Sequence, residues 1–300
     1  MQKTDWVWHN GKFIQWEEAT VPFLSHSLHY SGSIFEGIRC YKTEKGPAIF
    51  RLEDHITRLF DSAKIIDMNV AWTKNNIIPA CIETVKKNHL EECYIRPLLY
   101  YGGGEMGIDT LGKIADATIA VWKWGAYLGE GLETGIRIMT SSWRKPAPDS
   151  MPLNAKVSGN YTPAIMAKKE ARKRGYSEAL LLDPNGHVAE GPGENIFLVK
   201  NGVLFTPLTT YALNGITRDT ILKLAEQEGI RCYVTSITRD QCYTADELFF
   251  TGTAAEITPI IEYDDRKIGT GTPGKITKRL KELFFSVVRG KSDSRWLTYA

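Results

Sequence analysis

The chain has 300 residues, 43% hydrophobic and 24% charged, an ordinary globular composition with room for two domains. The formal net charge of +2, with basic residues scattered rather than striped, argues against nucleic acid or anionic membrane as partners. Five cysteines (Cys40, Cys81, Cys93, Cys232, Cys242) without a C-x-x-C pair argue against a disulfide framework or zinc site. With a polar start and no apolar run of membrane length, they point to the cytoplasm.

In chain order, residues 6–14 read as two short strands about an Asn10-Gly11 type I′ turn. Residues 26–39 are rich in small residues and aromatics and run into a strand. Helical spacing of Leu52, Ile56, Leu59, Phe60 and Ala63 predicts a helix over 52–66, and a second follows over 75–88. Strands are expected over 92–101 and 115–122, with a glycine-rich loop at 102–107. Glycines over 125–135 suggest a linker. Beyond it we expect a strand at 136–142 and a helix at 161–174 with an apolar Ala/Ile/Met face. A strand at 178–183 turns at Pro184-Asn185-Gly186, and a hairpin turns at Asn201-Gly202. A helix opens at Gly215, a strand covers 247–251, and a terminal helix covers 274–288. Strands in hairpins with helices interspersed predict an α+β fold with antiparallel or mixed sheets. The division expected is 1–124, a linker at 125–135, and 136–300.

Two stretches carry chemistry. Lys156 lies in Pro152-Leu153-Asn154-Ala155-Lys156-Val157-Ser158-Gly159-Asn160-Tyr161, with no charge from Ser150 to Ala155. Desolvation there would lower its ammonium pKa and make the amine nucleophilic. A lone lysine in a Pro-rich loop is ordinarily a surface residue. The second stretch, Val188-Ala189-Glu190-Gly191-Pro192-Gly193-Glu194-Asn195, changes the reading by placing the Glu190 carboxylate where a strand gives way to a turn. A Schiff-base lysine and a carboxylate facing a pyridine nitrogen are what pyridoxal phosphate chemistry requires.

An anion could be held by Gly215-Ile216-Thr217 at a helix start, although on this feature alone ordinary helix capping is the commoner explanation. Thr251-Gly252-Thr253-Ala254 offers further N–H groups, and Arg58 is either a fixed charge for the same anion or a solvated helix residue. No dinucleotide or P-loop fingerprint occurs, and no H-E-x-x-H or Cys/His cluster suggests a metal.

Over nearly its whole length the chain resembles the fold-type IV pyridoxal-phosphate enzymes, nearest to the branched-chain amino-acid aminotransferases. The segments that carry the resemblance are Ser25-His26-Ser27-Leu28-His29-Tyr30, Phe35-Glu36-Gly37-Ile38-Arg39, Tyr94-Ile95-Arg96-Pro97, Trp124-Gly125-Ala126-Tyr127, Lys156 to Tyr161, Glu190-Gly191 with Glu194-Asn195, Gly215-Ile216-Thr217-Arg218, and Thr251 to Glu256. Each alone is weak, but their common order is specific. The resemblance implies a small N-terminal and a large cofactor-binding domain. It implies transamination between leucine, isoleucine or valine and 2-oxoglutarate by a ping-pong route.

It implies that Lys156 carries the cofactor and shuttles the proton, and that Glu190 bonds the pyridine nitrogen. Tyr161 would bond the phenolic oxygen and Leu213 pack on the ring. Arg58, the Ile216 and Thr217 amides, and Thr253 would hold the phosphate. Tyr30, Phe35, Trp124 and Tyr127 would wall an apolar pocket, with the Gly37 position left open. Tyr94 with the Thr253 and Ala254 amides would take the α-carboxylate, and Arg96 the distal carboxylate of glutamate. The Met106-Gly107-Ile108 loop would reach a partner subunit, making a homodimer the minimum active unit.

Lys123, Glu105 and Val157-Ser158 depart from what the family commonly carries. D-amino-acid aminotransferases and aminodeoxychorismate lyases carry an Arg-Gly-x-x-x-Arg element where this chain reads Tyr100-Tyr101-Gly102-Gly103-Gly104-Glu105-Met106. An (R)-selective amine transaminase would share Lys156 and Glu190. A non-catalytic relative would be expected to have lost one of them.

Overall fold

A computed structural model describes residues 3–103, 107–125, 129, 131–292 and 295–300. The chain divides into two compact units. The first is Met1–Trp124 with Ala155–Gly159 and Ser286–Ala300; the second is Gly125–Asn154 with Asn160–Phe285. The expected division differs from this in two respects. The segment around Lys156 and the C-terminal segment group with the first unit. The expected linker also carries a short helix, described below.

The first unit begins with the hairpin of β1 (Trp6–His9) and β2 (Lys12–Gln15), whose Asn10 and Gly11 have φ of 45° and 86°, as a type I′ turn needs. Then come α1 (His26–Tyr30), β3 (Ile34–Phe35), β4 (Ile38–Thr43), β5 (Gly46–Phe50), α2 (Leu52–Ile65), α3 (Lys74–Lys87), β6 (Cys93–Tyr100) and β7 (Asp116–Trp122). Period-2 alternation sorts the sheet into two faces. Ile38, Ile95, Ile119 and Val121 point to one side, where they pack with Ile56, Leu59, Ile77, Cys81 and Val85 of α2 and α3. Tyr94 lies directly opposite Trp122 in the β6–β7 register, so both project to the other face together with Arg96.

The second unit contains α4 (Gly131–Thr134), β8 (Ile136–Arg144), α5 (Thr162–Lys173), β9 (Glu178–Leu182), β10 (Val188–Glu190), β11 (Asn195–Lys200), β12 (Val203–Thr206), α6 (Ile216–Gln227), β13 (Cys232–Val234), α7 (Arg239–Tyr243), β14 (Glu247–Gly252), β15 (Glu256–Tyr263) and β16 (Arg266–Lys267). Helix α8 (Lys275–Val288) and strand β17 (Leu297–Tyr299) end the chain, with β17 on the edge of the first unit's sheet beside β5. The first sheet runs β17-β5-β4-β6-β7-β1-β2, with β3 on β6; the second runs β10-β9-β8-β15-β14-β11-β12-β13, with β16 on β15. Pairs β8–β9, β8–β15 and β12–β13 are parallel and the remaining described pairs antiparallel. The fold is α+β with mixed sheets, as expected.

Helix α5 departs from its predicted face. Its buried residues are Ala164, Ala167 and Ala171, while Ile165 is 62% exposed and Met166 37%. Small side chains let the helix lie close on β8 and β9, and the larger apolar residues are left outside. No helix of the described residues is long and apolar enough to cross a membrane.

Candidate active site

In the first unit the backbone of Lys156 is fixed on both sides. Its N–H donates to Ser62 Oγ at 3.0 Å, and its carbonyl accepts the Phe35 N–H at 3.2 Å. Ser62 in turn donates to the Arg58 carbonyl at 2.8 Å, so helix α2 anchors the lysine. Lys156 is half-buried as a residue, and its Nζ lies 4.9 Å from the centroid of the Phe35 ring. Burial lowers its pKa to about 8, opposed by Glu36 and aided by Arg58. The amine is therefore partly unprotonated near neutral pH.

Beside it stands an aromatic box. The Tyr94 ring lies 4.6 Å from that of Trp124 and 5.1 Å from that of Trp122. The Arg96 guanidinium carbon sits 4.7 Å from the Phe35 centroid, 5.3 Å from Tyr94 and 5.7 Å from Trp122. Arg96 also donates to the Tyr94 hydroxyl at 3.5 Å. The rings stabilise the cation on its faces while its edge keeps donors for a ligand.

The space expected over Gly37 is not open. A Cβ there would meet Tyr94 Oη at 1.8 Å, so the tyrosine fills the position a side chain would take. Tyr30 ends α1, is 45% exposed, and has His26 and His29 as ring neighbours rather than the box.

Alternation along 34–38 turns Phe35 toward this face and Glu36 toward α2. The Glu36 carboxylate is fully buried. It takes Arg58 Nε at 2.6 Å and Nη2 at 2.9 Å, His55 Nδ1 at 2.7 Å and the Gly37 amide at 3.3 Å. Burial alone would push the Glu36 carboxyl up, but Arg58 and His55 outweigh it and hold it well below the usual carboxylate range. Arg58 is thus a fixed charge, its side chain 14% exposed.

In the second unit Glu190 ends β10 and receives three donors. Lys145 Nζ bonds one carboxylate oxygen at 2.7 Å; the Leu213 N–H at 3.1 Å and Asn195 Nδ2 at 3.2 Å bond the other. Asn195 also donates to the Leu213 carbonyl at 2.9 Å. A Cβ on Gly215 would lie 1.9 Å from Asn195 Oδ1, so only glycine lets helix α6 start against that amide. Ile216 and Thr217, both buried, open α6, at the end of a helix where the backbone dipole favours an anion. Thr253 and Ala254 lie in the three-residue turn between β14 and β15, whose ends pair Gly252 with Glu256. Tyr161 occupies the N-cap position of α5, and Leu213 is half-buried. Met106 and Tyr127 lie outside the described residues.

The structure therefore groups Lys156, Phe35, Gly37, Arg58, Tyr94, Arg96 and Trp124 in one unit, and Glu190, Leu213 and the start of α6 in the other. It adds Trp122, Glu36, His55, Ser62, Lys145 and Asn195. Glu36 and Asn195 stood inside the motifs quoted above. Ser62 had a signal in its spacing, one turn after Arg58. Lys145 had none. No group of three or more His, Cys, Asp or Glu among the described residues is placed to hold a metal ion.

Residues 33–263 match the family model described as amino-transferase class IV. The chain is 47% identical over 298 residues to the branched-chain-amino-acid aminotransferase of Escherichia coli K12, covering 98% of this chain and 96% of that one. The crystal structure of the Escherichia coli enzyme superposes with a TM-score of 0.97 at 47% identity, covering 98% of this chain and 99% of the other. That of the Thermobaculum terrenum branched-chain amino acid aminotransferase in its PLP-form gives 0.91 at 36%, covering 99% of each chain.

Proposed function

The chain belongs to the class IV aminotransferases, and on that premise we propose that it is a branched-chain-amino-acid aminotransferase. It transfers the amino group of L-leucine, L-isoleucine or L-valine to 2-oxoglutarate, with pyridoxal 5′-phosphate as cofactor. The observation that carries this reading is the Lys156 amine. It is held at its backbone by Ser62 and Phe35, set against the Phe35 ring and lowered to about 8.

The residues present fit the cofactor. An amine of lowered basicity suits its aldehyde, a rigid guanidinium and a helix start suit its phosphate, and a buried carboxylate suits a protonated ring nitrogen. When bound, the cofactor supplies the electrophilic carbon and an electron sink. Lys156 would hold it covalently and, once released, move the proton between substrate Cα and cofactor C4′. Glu190 would hold the proton on the ring nitrogen. Tyr161 would bond the phenolic oxygen, Leu213 would pack on the ring, and Arg58, the Ile216 and Thr217 amides and Thr253 would grip the phosphate.

Phe35, Tyr94, Trp122 and Trp124 would exclude water and receive the aliphatic chain. Arg96 would take the distal carboxylate of glutamate, and Tyr94 with the Thr253 and Ala254 amides the α-carboxylate. One box with one caged cation suits both half-reactions, because the ring faces partly stabilise the cation when an aliphatic chain is bound.

The active unit we propose is a homodimer. Supporting it, Phe23, Leu28, Ile108 and Leu111 are 79%, 62%, 83% and 89% exposed, a share of large apolar surface that a partner subunit would cover. Sedimentation of the holoenzyme as a monomer would reject this. A cytoplasmic setting suits five unpaired cysteines.

The test is the visible absorption of the holoenzyme on separate addition of L-leucine, L-glutamate, D-alanine and an (R)-arylamine. The cofactor band should bleach with the first two. Bleaching by D-alanine or the arylamine alone would reject the substrate assignment, and an unchanged rate in Lys156→Ala would reject the mechanism.

A further inference from the structure

We propose that Glu36 is a positioning residue that, with His55, presets the Arg58 guanidinium for the cofactor phosphate. The inference rests on the reading of Arg58 as a phosphate ligand. An arginine on an exposed helix face samples many rotamers and would have to be ordered at binding. Here the ordering is built in. Glu36 grips Nε and Nη2 as a two-point fork, with distances of 2.6 and 2.9 Å that fix the guanidinium plane.

The fork is itself held. Glu36 has no solvent access, so its remaining capacity must be met within the protein, and His55 Nδ1 and the Gly37 amide meet it. An ionised carboxylate only accepts, so His55 donates from Nδ1. The helix supports the same arrangement from below. His55, Arg58 and Ser62 share one stripe of α2, and Ser62 ties the Arg58 carbonyl to the Lys156 N–H. One carboxylate therefore orients the phosphate grip on the helix that anchors the nucleophile.

Charge and positioning make opposite predictions. Glu36 neutralises Arg58, so if electrostatic attraction alone governed phosphate binding, Glu36→Gln would add net positive charge and tighten it. If positioning governs, the same substitution loosens it. The quantity to measure is the ratio of the dissociation constants of pyridoxal and pyridoxal 5′-phosphate for the full chain freed of cofactor, followed by protein fluorescence. This ratio isolates the phosphate. It should be large in the parent protein and fall about tenfold in Glu36→Gln, the size of effect typical of outer-shell partners.

Glu36→Asp keeps the charge but withdraws the fork by one methylene, and it should lower the ratio too. It decides the question if Glu36→Gln does not fold. A ratio unchanged or raised in these variants, while Arg58→Ala lowers it, overturns the positioning role and leaves the Arg58 reading intact. A ratio unchanged in Arg58→Ala overturns both.

Discussion

The Cα of Gly37 and the hydroxyl of Tyr94 occupy adjoining space so closely that a Cβ on Gly37 would lie 1.8 Å from Tyr94 Oη. The hydroxyl also accepts from Arg96 at 3.5 Å, and its ring touches both tryptophans of the box. Gly37→Ala must therefore displace Tyr94, and with it the ring that cages Arg96. Overpacking of this kind costs about 1–3 kcal/mol. We expect kcat/KM to fall roughly 10- to 100-fold for leucine and glutamate alike, because Tyr94 would serve the α-carboxylate common to both. Steady-state kinetics with both donors checks this, and a loss confined to one donor would reject the shared role.

Arg96 should behave differently. It is the cation within the aromatic box, with three ring centroids between 4.7 and 5.7 Å of its guanidinium carbon. Hydrogen bonds to a charged group contribute about 1.5–3 kcal/mol, which matters only for a substrate with a distal carboxylate. Arg96→Ala is expected to lower kcat/KM for glutamate and 2-oxoglutarate roughly 10- to 100-fold and for leucine no more than a fewfold. Equal losses across all three would reject dual recognition by this residue.

What could be read from the chain without coordinates was what is local. The charge-free run before Lys156 marked an amine that the fold half-buries, whereas Tyr94 and Arg96 were named from the resemblance and the structure sets them on one face of β6. What escaped was set by non-local pairing. Trp122 joins the box because its register partner is Tyr94, and no periodicity within β7 names that partner. Glu36 meets His55 and Arg58 only because α2 packs on its side of the sheet. Lys145 lies in a Pro-containing loop, where nothing local distinguishes a partner for Glu190 from a solvated lysine. On α5 hydropathy pointed to Ile165 and Met166, but close approach to the strands favours the alanines instead.

Lys145 and Glu190 form an ion pair at 2.7 Å with side chains 11% and 9% exposed. Removing one partner of a buried pair leaves a charge stranded, at a cost of about 3 kcal/mol. Lys145→Met should destabilise the cofactor-free protein by that order. With cofactor bound, a protonated ring nitrogen would offer Glu190 another partner, so the loss should shrink. Chemical denaturation with and without pyridoxal 5′-phosphate measures both. Equal losses in the two states would mean that Glu190 does not face the ring nitrogen.

Glu194 supplies a pH signature. Burial first, and then the negative charge of Glu178, push its carboxyl up to about 8, with the Gly193 N–H at 3.0 Å opposing. Burial likewise raises Glu178, against the pull of its partner Lys168. A raised pKa means that the folded state holds its proton more tightly than the unfolded one. The resulting stability is complete below the ordinary carboxylate value and is lost as pH climbs to about 8. Glu194→Gln keeps an oxygen for the Gly193 amide but cannot ionise. The parent protein should therefore lose a few kcal/mol between about pH 5 and pH 8 that the variant retains, leaving the variant the more stable of the two at the upper end. Denaturation midpoints across that range decide it. Parallel profiles for the two proteins would show that Glu194 is already ionised in the fold and that the like charges of Glu178 and Glu190 are screened from it.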